Sequence, residues 1–167
     1  MVTNKTQVQE KAGPILEQIK KAKSVLLHCH PSPDADSVGS ALAMKFAIEQ
    51  SGGTVTVIKG DSQFPKAFAH FPGADHILMK SYWEIDPNDY DLMIIVDSDL
   101  RGVSREPYIE KLPENMQVIN IDHHRTNEGS GQINLVDNSY PACAELIYDL
   151  FKEIGIKIDE NIAINLY

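Results

Sequence analysis

The sequence is short of cysteine, of positive charge and of long hydrophobic runs, and each shortage excludes a class of protein. Cysteine occurs only at Cys29 and Cys143 in 167 residues. That is too few for the disulfide framework of a small secreted domain, and it favours a reducing compartment. No apolar run reaches the length of a membrane span, and residues 1–23 lack the apolar core of a secretory signal. We therefore expect a cytoplasmic protein without a membrane partner.

Positive charge is the second shortage. Lysine and arginine number 15 against 24 acidic residues, which gives a formal net charge of −9. Binding of long duplex nucleic acid through the protein's own surface needs a basic field, so that class of partner is excluded. Clustered carboxylates can instead hold divalent cations, which then attract phosphate. A G-x-G-x-x-G fingerprint is also missing after the first predicted strand, which counts against a plain Rossmann-type dinucleotide binder.

The apolar residues that are present predict a single α/β domain spanning 1–167. They make up 43% of the chain, enough for a real core. Spacings of three and four predict helices over 6–22, 37–51 and 142–154, and Pro14 offers an alternative start for the first. Short apolar runs predict buried strands at 24–29, 54–60, 92–96 and within 116–124, with a weaker strand at 75–79. This alternation predicts a Rossmann-like parallel sheet with helices on both faces and a binding crevice beyond the carboxyl ends of the strands.

Acidic residues and histidines follow three of these strands at the point where each strand ends. Taken singly, each group has an ordinary explanation, since a carboxylate begins a turn or caps a helix, as Asp36 or Ser37 could at 37–51. In a parallel sheet, however, all three groups emerge at one edge, and buried carboxylates repel one another unless cations offset their charge. The coincidence therefore predicts a metal site at that edge, built from His30, Asp34 and Asp36; Asp97 and Asp99; and Asp122, His123 and His124.

The types of side chain narrow the choice of metal. Carboxylates and imidazoles without thiolates suit Mn²⁺, Mg²⁺ or Zn²⁺, and an oxygen-rich set favours Mn²⁺ or Mg²⁺. Even five of these side chains are too many for one ion with open positions. They fit two ions about 3.5–4 Å apart that share a carboxylate and a water. Such a water is a nucleophile for phosphorus near neutral pH, so the pattern predicts a hydrolytic site.

Three segments resemble motifs I, II and III of the DHH phosphoesterase superfamily. They are HPSPDADSVGS (30–40), VDSD (96–99) and DHHRTN (122–127), in the same order and strand context. The later segment INLVDNSYPACAELIYDLF (133–151) is also similar to the one that follows motif III. The resemblance extends from about residue 10 to Tyr167 and is greatest to the bacterial nanoRNase/pAp phosphatase branch. It implies the DHH-domain fold.

The resemblance implies two Mn²⁺ sites in the complete protein, with Mg²⁺ as an alternative ion. His30, Asp34 and Asp97 would bind the first ion. Asp36, Asp97 and His123 would bind the second, so that Asp97 bridges the two.

The remaining motif III residues receive other roles from the resemblance. His124 would contact the scissile phosphate or the leaving group, and Asp122 would orient an imidazole, so these two are the catalytic candidates. Arg125 and Asn127, together with His124, are candidate substrate contacts, although an arginine at a surface turn is more often simply solvated. His28 is expected to be a core residue or a neighbour of the ligands. Gly39, in the helix after motif I, either permits close packing on the sheet or leaves the helix N-terminus open to anions.

The chain departs from the family pattern at its C-terminus. Family members carry a motif IV aspartate for the second metal, expected just after Tyr167, and a C-terminal substrate domain with a Gly-rich, His-containing loop. Neither occurs in this sequence. We therefore expect a DHH domain truncated before motif IV, which binds one ion well, binds the second poorly and is weakly active or inactive.

The function implied by the resemblance is that of a Mn²⁺-dependent phosphoesterase. It would hydrolyse short oligoribonucleotides and 3′-phosphoadenosine 5′-phosphate (pAp) by two-metal activation of water. Alternatives in the same superfamily are a cyclic-dinucleotide phosphodiesterase and an inorganic pyrophosphatase. The alternative from another class is a catalytically inactive metal- or nucleotide-binding module. The expected partners are small nucleotides or short single-stranded RNA or DNA, and a homodimer is left open.

Overall fold

A five-stranded parallel sheet forms the centre of the computed structural model, which describes residues 6–28, 30, 32–104 and 107–167. The strand order is β2-β1-β3-β4-β5, and all four pairings are parallel. The order reverses between β1 and β3, and the crevice of an open α/β sheet lies at such a switch point. The predicted α/β fold with a parallel sheet is thus confirmed, with the strands β1 (Val25–His28), β2 (Val55–Ile58), β3 (Leu92–Val96), β4 (Gln117–Asp122) and β5 (Ile133–Val136).

Four predicted strands are confirmed, and the one predicted at 75–79 is wrong. Gly73, at φ 83°, leads the chain into a 3-10 helix over Ala74–His76. Only an isolated bridge between Leu78 and Ile58 then joins this segment to the outer edge of β2. The strand β5 was not predicted, and Cys29, which the prediction placed in the first strand, lies outside the described residues.

The described helices are α1 (Gln7–Lys21), α2 (Ala35–Gln50), α3 (Leu100–Val103), α4 (Cys143–Ile154) and α5 (Glu160–Leu166). The three predicted helices are confirmed; the first and third begin within one residue of the prediction, and the second begins two residues earlier than predicted. The first begins at Gln7 behind the N-cap Thr6, so Pro14 lies inside the helix and is not its first turn. The second begins one residue after Asp34, whose carboxylate accepts the backbone N–H of Ser37 at 2.9 Å. Asp34, rather than Asp36 or Ser37, is therefore its N-cap.

The two faces of the sheet are covered differently. The core on one face contains the buried residues of α1, α2, α4 and α5. The core on the other face is closed by α3, by short helical turns such as Tyr82–Glu84, and by the loop before β4. The chain first runs from β1 to β2 at one edge and then returns past β1 to β3, β4 and β5. Because each crossover is right-handed, the reversal of direction puts the connections on both faces of the sheet. The long crossover from β2 to β3 is interrupted by prolines and glycines, so it forms turns rather than a long helix.

The terminal helix α5 packs closely on α2 at Gly39. A Cβ atom at Gly39 would lie 2.1 Å from the carbonyl oxygen of Asn165. Of the two roles predicted for this glycine, the structure shows close packing, but against α5 rather than against the sheet. None of the helices in the described part of the chain is long and apolar enough to cross a membrane.

Candidate metal centre

The carboxyl ends of the neighbouring strands β1, β3 and β4 bring the predicted side chains together. Val96 is paired with Ile121, and the backbone N–H of Asp97 donates to the carbonyl oxygen of Ile121 at 3.0 Å, so Asp97 lies level with the end of β4. His30 lines a cavity of about 250 Å³ together with Asp97 and His124. Four side chains each offer a possible ligand atom within 4.8 Å of the others: Asp97, Asp122, His123 and His124.

Asp97 is the centre of this cluster. Its side chain is buried, its backbone adopts φ 56°, and its Oδ1 has no hydrogen-bond partner among the described residues. Burial, with the nearby charges of Asp36 and Asp34, raises the pKa of Asp97 to about 8. The Nε2 of His123 and the Nδ1 of His124 lie 3.5 and 3.7 Å from this oxygen. A buried oxygen of this kind needs a proton or a cation, and an oxygen and imidazole donor set fits Mn²⁺ or Mg²⁺.

Asp122 holds the ring of His124. Its Oδ1 accepts the His124 Nδ1–H at 2.7 Å and the backbone N–H groups of His123 and His124 at 2.7 and 3.2 Å. Partial burial acts to lower the pKa of His124, but the hydrogen bond to Asp122 and the surrounding carboxylates outweigh it and raise this pKa. Because Nδ1 of His124 donates to Asp122, Nε2 is the ring nitrogen that remains available to a ligand. The His124 side chain is 49% exposed, so a ligand can reach it.

Asn127 holds Asp122 in turn. Its amide nitrogen donates to Asp122 Oδ2 at 2.7 Å, to Asn120 Oδ1 at 2.9 Å and to the carbonyl oxygen of Ser98 at 3.2 Å. Its Oδ1 accepts the N–H of Gly129 at 2.8 Å. These contacts are all to protein, so the role of Asn127 as a substrate contact stays a prediction. The sequence analysis did not single out Asn120, although a polar residue inside an apolar strand was a signal for it.

Asp36 joins the cluster to α4. Its Oδ2 accepts the backbone N–H of Cys143 and its Oδ1 accepts that of Ala144, both at 2.8 Å. The N-cap residue of α4, Ala142, has no side-chain acceptor of its own, and Asp36 takes that place. The same Oδ2 lies 3.6 Å from Nε2 of His123. Asp36 therefore has a structural role in addition to its predicted role as a ligand.

The first-motif residues lie at the border of the cluster. The Nδ1 of His30 accepts the backbone N–H of Ser32 at 3.0 Å, which places the proton of the neutral ring on Nε2. A cation would bind His30 only after a shift of that proton or the loss of that bond. The exposed Asp34 is engaged as the cap of α2. His28 is fully buried, and burial together with His30 lowers its pKa to about 3, so it is a neutral core residue.

Arg125, the other predicted substrate contact, is exposed. Asp99, named with the predicted group, caps the short helix α3 through the N–H of Gly102 at 3.0 Å. The assignments of individual ligands and substrate contacts stay predictions, because the geometry brings the side chains together without naming the ion each one binds.

The family model for the DHH family, N-terminal domain, matches residues 24–167. The chain is 27% identical over 155 residues to the bifunctional oligoribonuclease and PAP phosphatase NrnA of Thermus thermophilus, covering 92% of this chain and 44% of that protein. It is 22% identical over 156 residues to the NrnA of Bacillus subtilis, covering 92% and 47%. The chain thus spans about half the length of these curated relatives.

Solved structures support the fold. An exopolyphosphatase-related protein from Bacteroides fragilis superposes with a TM-score of 0.85 at 23% identity, covering 95% of this chain and 48% of that one. The RecJ structure in complex with Mn²⁺ from Thermus thermophilus superposes with a TM-score of 0.51 at 15% identity, covering 94% and 22%. With the motif order, the sheet and the family match in agreement, the chain belongs to the DHH family, whose N-terminal domain it matches over residues 24–167.

Proposed function

We propose that this chain is the cation-binding domain of a Mn²⁺-dependent phosphoesterase that acts on phosphate esters of small nucleotides. One observation carries the proposal: the buried Oδ1 of Asp97, which has no hydrogen-bond donor among the described residues and lies within 3.7 Å of two imidazole nitrogens, in a chain of the DHH family. The names of the NrnA relatives supply the substrate class, short oligoribonucleotides and pAp. Because the chain spans about half of those proteins, the activity of the whole protein is part of the proposal.

The residues at the strand ends divide into two overlapping sets of ligands. His30, Asp34 and Asp97 would hold one ion, and Asp36, Asp97 and His123 the other. Two divalent cations bound there would lower the pKa of a shared water and offset charge on the phosphate oxygens.

Side chains of the protein would supply the proton and contact the substrate phosphates. Asp122 keeps the proton of His124 on Nδ1 and so fixes the direction of Nε2. From there the imidazolium would donate a proton to a phosphate oxygen or to the leaving oxygen. Arg125 would contact a second phosphate. We place the protein in the cytoplasm, which is consistent with the free and buried thiol of Cys143.

The test uses the chain after removal of metal with EDTA. Calorimetric titration with Mn²⁺ should show saturable binding. The chain should then hydrolyse pAp and a diribonucleotide slowly, but faster than a cyclic dinucleotide and pyrophosphate. Asp97→Asn should lose both properties, whereas Asp89→Asn, which changes an exposed carboxylate outside the cluster, should lose neither. Binding without turnover would favour the inactive module, and absence of Mn²⁺ binding would overturn the proposal.

A further inference from the structure

His123 makes a hydrogen bond that points away from the acidic cluster. Its Nδ1 lies 3.2 Å from the carbonyl oxygen of Tyr140. A carbonyl oxygen only accepts, so Nδ1 carries the proton and Nε2 of the neutral ring keeps its lone pair. That Nε2 is the atom that lies 3.5 Å from Asp97 Oδ1 and 3.6 Å from Asp36 Oδ2. The Tyr140 carbonyl therefore selects the tautomer that can bind a cation between the two carboxylates.

The carbonyl of Tyr140 is itself held in place. The N–H of Tyr140 donates to the carbonyl of Asp137 at 3.3 Å, and the N–H of Asp137 donates to the carbonyl of Asp122 at 3.0 Å, which ties this turn to the end of β4. Pro141 restricts the backbone of Tyr140 to extended conformations. The Tyr140 hydroxyl donates to Asp149 Oδ2 of α4 at 2.9 Å.

The same helix also holds Asp36. The first two N–H groups of α4, those of Cys143 and Ala144, donate to its two carboxylate oxygens. The inner face of α4 is fully buried in the core through Leu146, Ile147, Leu150 and Phe151. The helix is therefore a fixed body to which side chains from α2 and from the end of β4 are both attached.

We propose that α4 positions the second cation site, with Asp36 held by its N-terminal N–H groups and His123 held through Asp149 and Tyr140. Tyr140 and Asp149 are positioning residues in this arrangement, because they act on the ring of His123 rather than on a cation or a substrate. The inference rests on the proposed function, because it concerns a cation site. The tautomer of His123 can nevertheless be measured in the absence of a cation. Loss of a partner behind a metal-binding histidine typically weakens metal binding about 10- to 100-fold.

The experiment compares four variants with the wild-type chain. Tyr140→Phe and Asp149→Ala remove the hydroxyl–carboxylate bond, and Asp149→Asn keeps an acceptor oxygen and should rescue it. Tyr148→Phe is the matched control. Tyr148 lies next to Asp149 on α4, and its hydroxyl has no hydrogen bond among the described residues. Long-range ¹H–¹⁵N correlation spectra of the EDTA-treated chain at alkaline pH report the tautomer of His123. Calorimetry with Mn²⁺ reports the affinities of the sites.

We expect the Nδ1–H tautomer of His123 in the wild type, in Tyr148→Phe and in Asp149→Asn. Tyr140→Phe and Asp149→Ala should show a mixture of tautomers and about tenfold weaker Mn²⁺ binding at one site, the other site being unchanged. A wild-type chain with the His123 proton on Nε2 would overturn the inference, whether or not the variants fold. A lower melting temperature with an unchanged tautomer and unchanged Mn²⁺ affinity would also overturn it, because a merely structural bond gives that result. If the wild type binds no Mn²⁺, the proposed function fails, and the tautomers still decide whether Tyr140 and Asp149 orient His123.

Discussion

Replacing Asp97 by asparagine is expected to stabilise the metal-free chain, and the gain should grow with pH. At alkaline pH the wild type must hold an ionised carboxylate on a residue that is 3% exposed, and one oxygen of that carboxylate has no hydrogen-bond donor in the part of the chain that the structure describes. Asparagine has nearly the same shape, carries no charge and tolerates the φ of 56° that this position adopts. The substitution therefore removes the repulsion without adding backbone strain.

The size of the effect follows from the pKa of Asp97, which rises from 3.8 in the unfolded chain to about 8 in the folded one. A carboxyl whose folded pKa is raised contributes its full stability below pH 3.8, loses it progressively above that pH and has lost all of it above about pH 8. Each pKa unit corresponds to about 1.4 kcal/mol, so the whole shift sets a ceiling of about 6 kcal/mol, of which about 4 kcal/mol is lost above pH 5. Relaxation around the buried charge reduces this figure, and a gain of about 1–3 kcal/mol between pH 5 and pH 9 is expected.

Urea denaturation in EDTA at pH 5, 7 and 9 measures the difference between Asp97→Asn and the wild type. Asp89→Asn makes the same change in net charge at an exposed position and should stay within about 0.5 kcal/mol of the wild type. Mn²⁺ at 1,000 times its Kd should reverse the order, because it stabilises the wild type by about 4.1 kcal/mol and the variant lacks the shared ligand. A difference that is constant or shrinks from pH 5 to pH 9 would refute the account of Asp97.

Four further substitutions test other parts of the structure. In the urea assay, Gly39→Ala should lower the free energy of unfolding by about 1–3 kcal/mol, because the new Cβ atom would collide with the backbone of α5. Gly13→Ala should instead raise it by up to about 1 kcal/mol, because a Cβ atom at this position on α1 meets open space. Asp36→Ala at pH 5, where Asp97 is protonated, should cost about 1–2 kcal/mol because α4 loses its cap, and a more stable variant would contradict this role. His124→Gln should lower turnover at least about 100-fold while Mn²⁺ still raises the melting temperature, and unchanged turnover would remove its proposed role.

Much of the fold could be predicted because its central elements have strong local patterns. The strands β1, β3 and β4 are predominantly apolar and buried, as strands covered on both faces are. The strand β5 could not be recognised in the same way, because Ile133–Val136 is short, half-buried and interrupted by Asn134. The helix α5 has an N-cap signal in Asp159, but its alternating isoleucines have the period of a strand.

The residues that form the site could be predicted from the sequence, but the hydrogen bonds between them and the rest of the chain could not. A parallel sheet places the ends of β1, β3 and β4 at one edge, so the grouping of Asp97 with the Asp122 motif followed from topology alone. The hydrogen bonds of Asp36 run to residues 143 and 144, more than 100 positions away. No local pattern contains such a pairing. The cap at Asp34 was visible in principle, because Asp34 and Ser37 have the spacing of a capping box.

The hydrogen bonds at this edge identify the carboxylate on which cation binding depends most. Asp34 accepts an N–H of α2, Asp36 accepts two N–H groups of α4, and Asp122 accepts N–H groups of its own turn and of Asn127. Their charges are therefore partly offset by the protein itself. Among the described carboxylates here, Asp97 is the one with a buried oxygen that no N–H reaches, and its backbone is strained. Buried polar atoms without a hydrogen bond and residues with a strained backbone occur most often at functional sites. A cation would relieve more unfavourable energy at Asp97 than at any of the other three, and for that reason the loss of Asp97 should weaken Mn²⁺ binding more than the loss of Asp34 or Asp36.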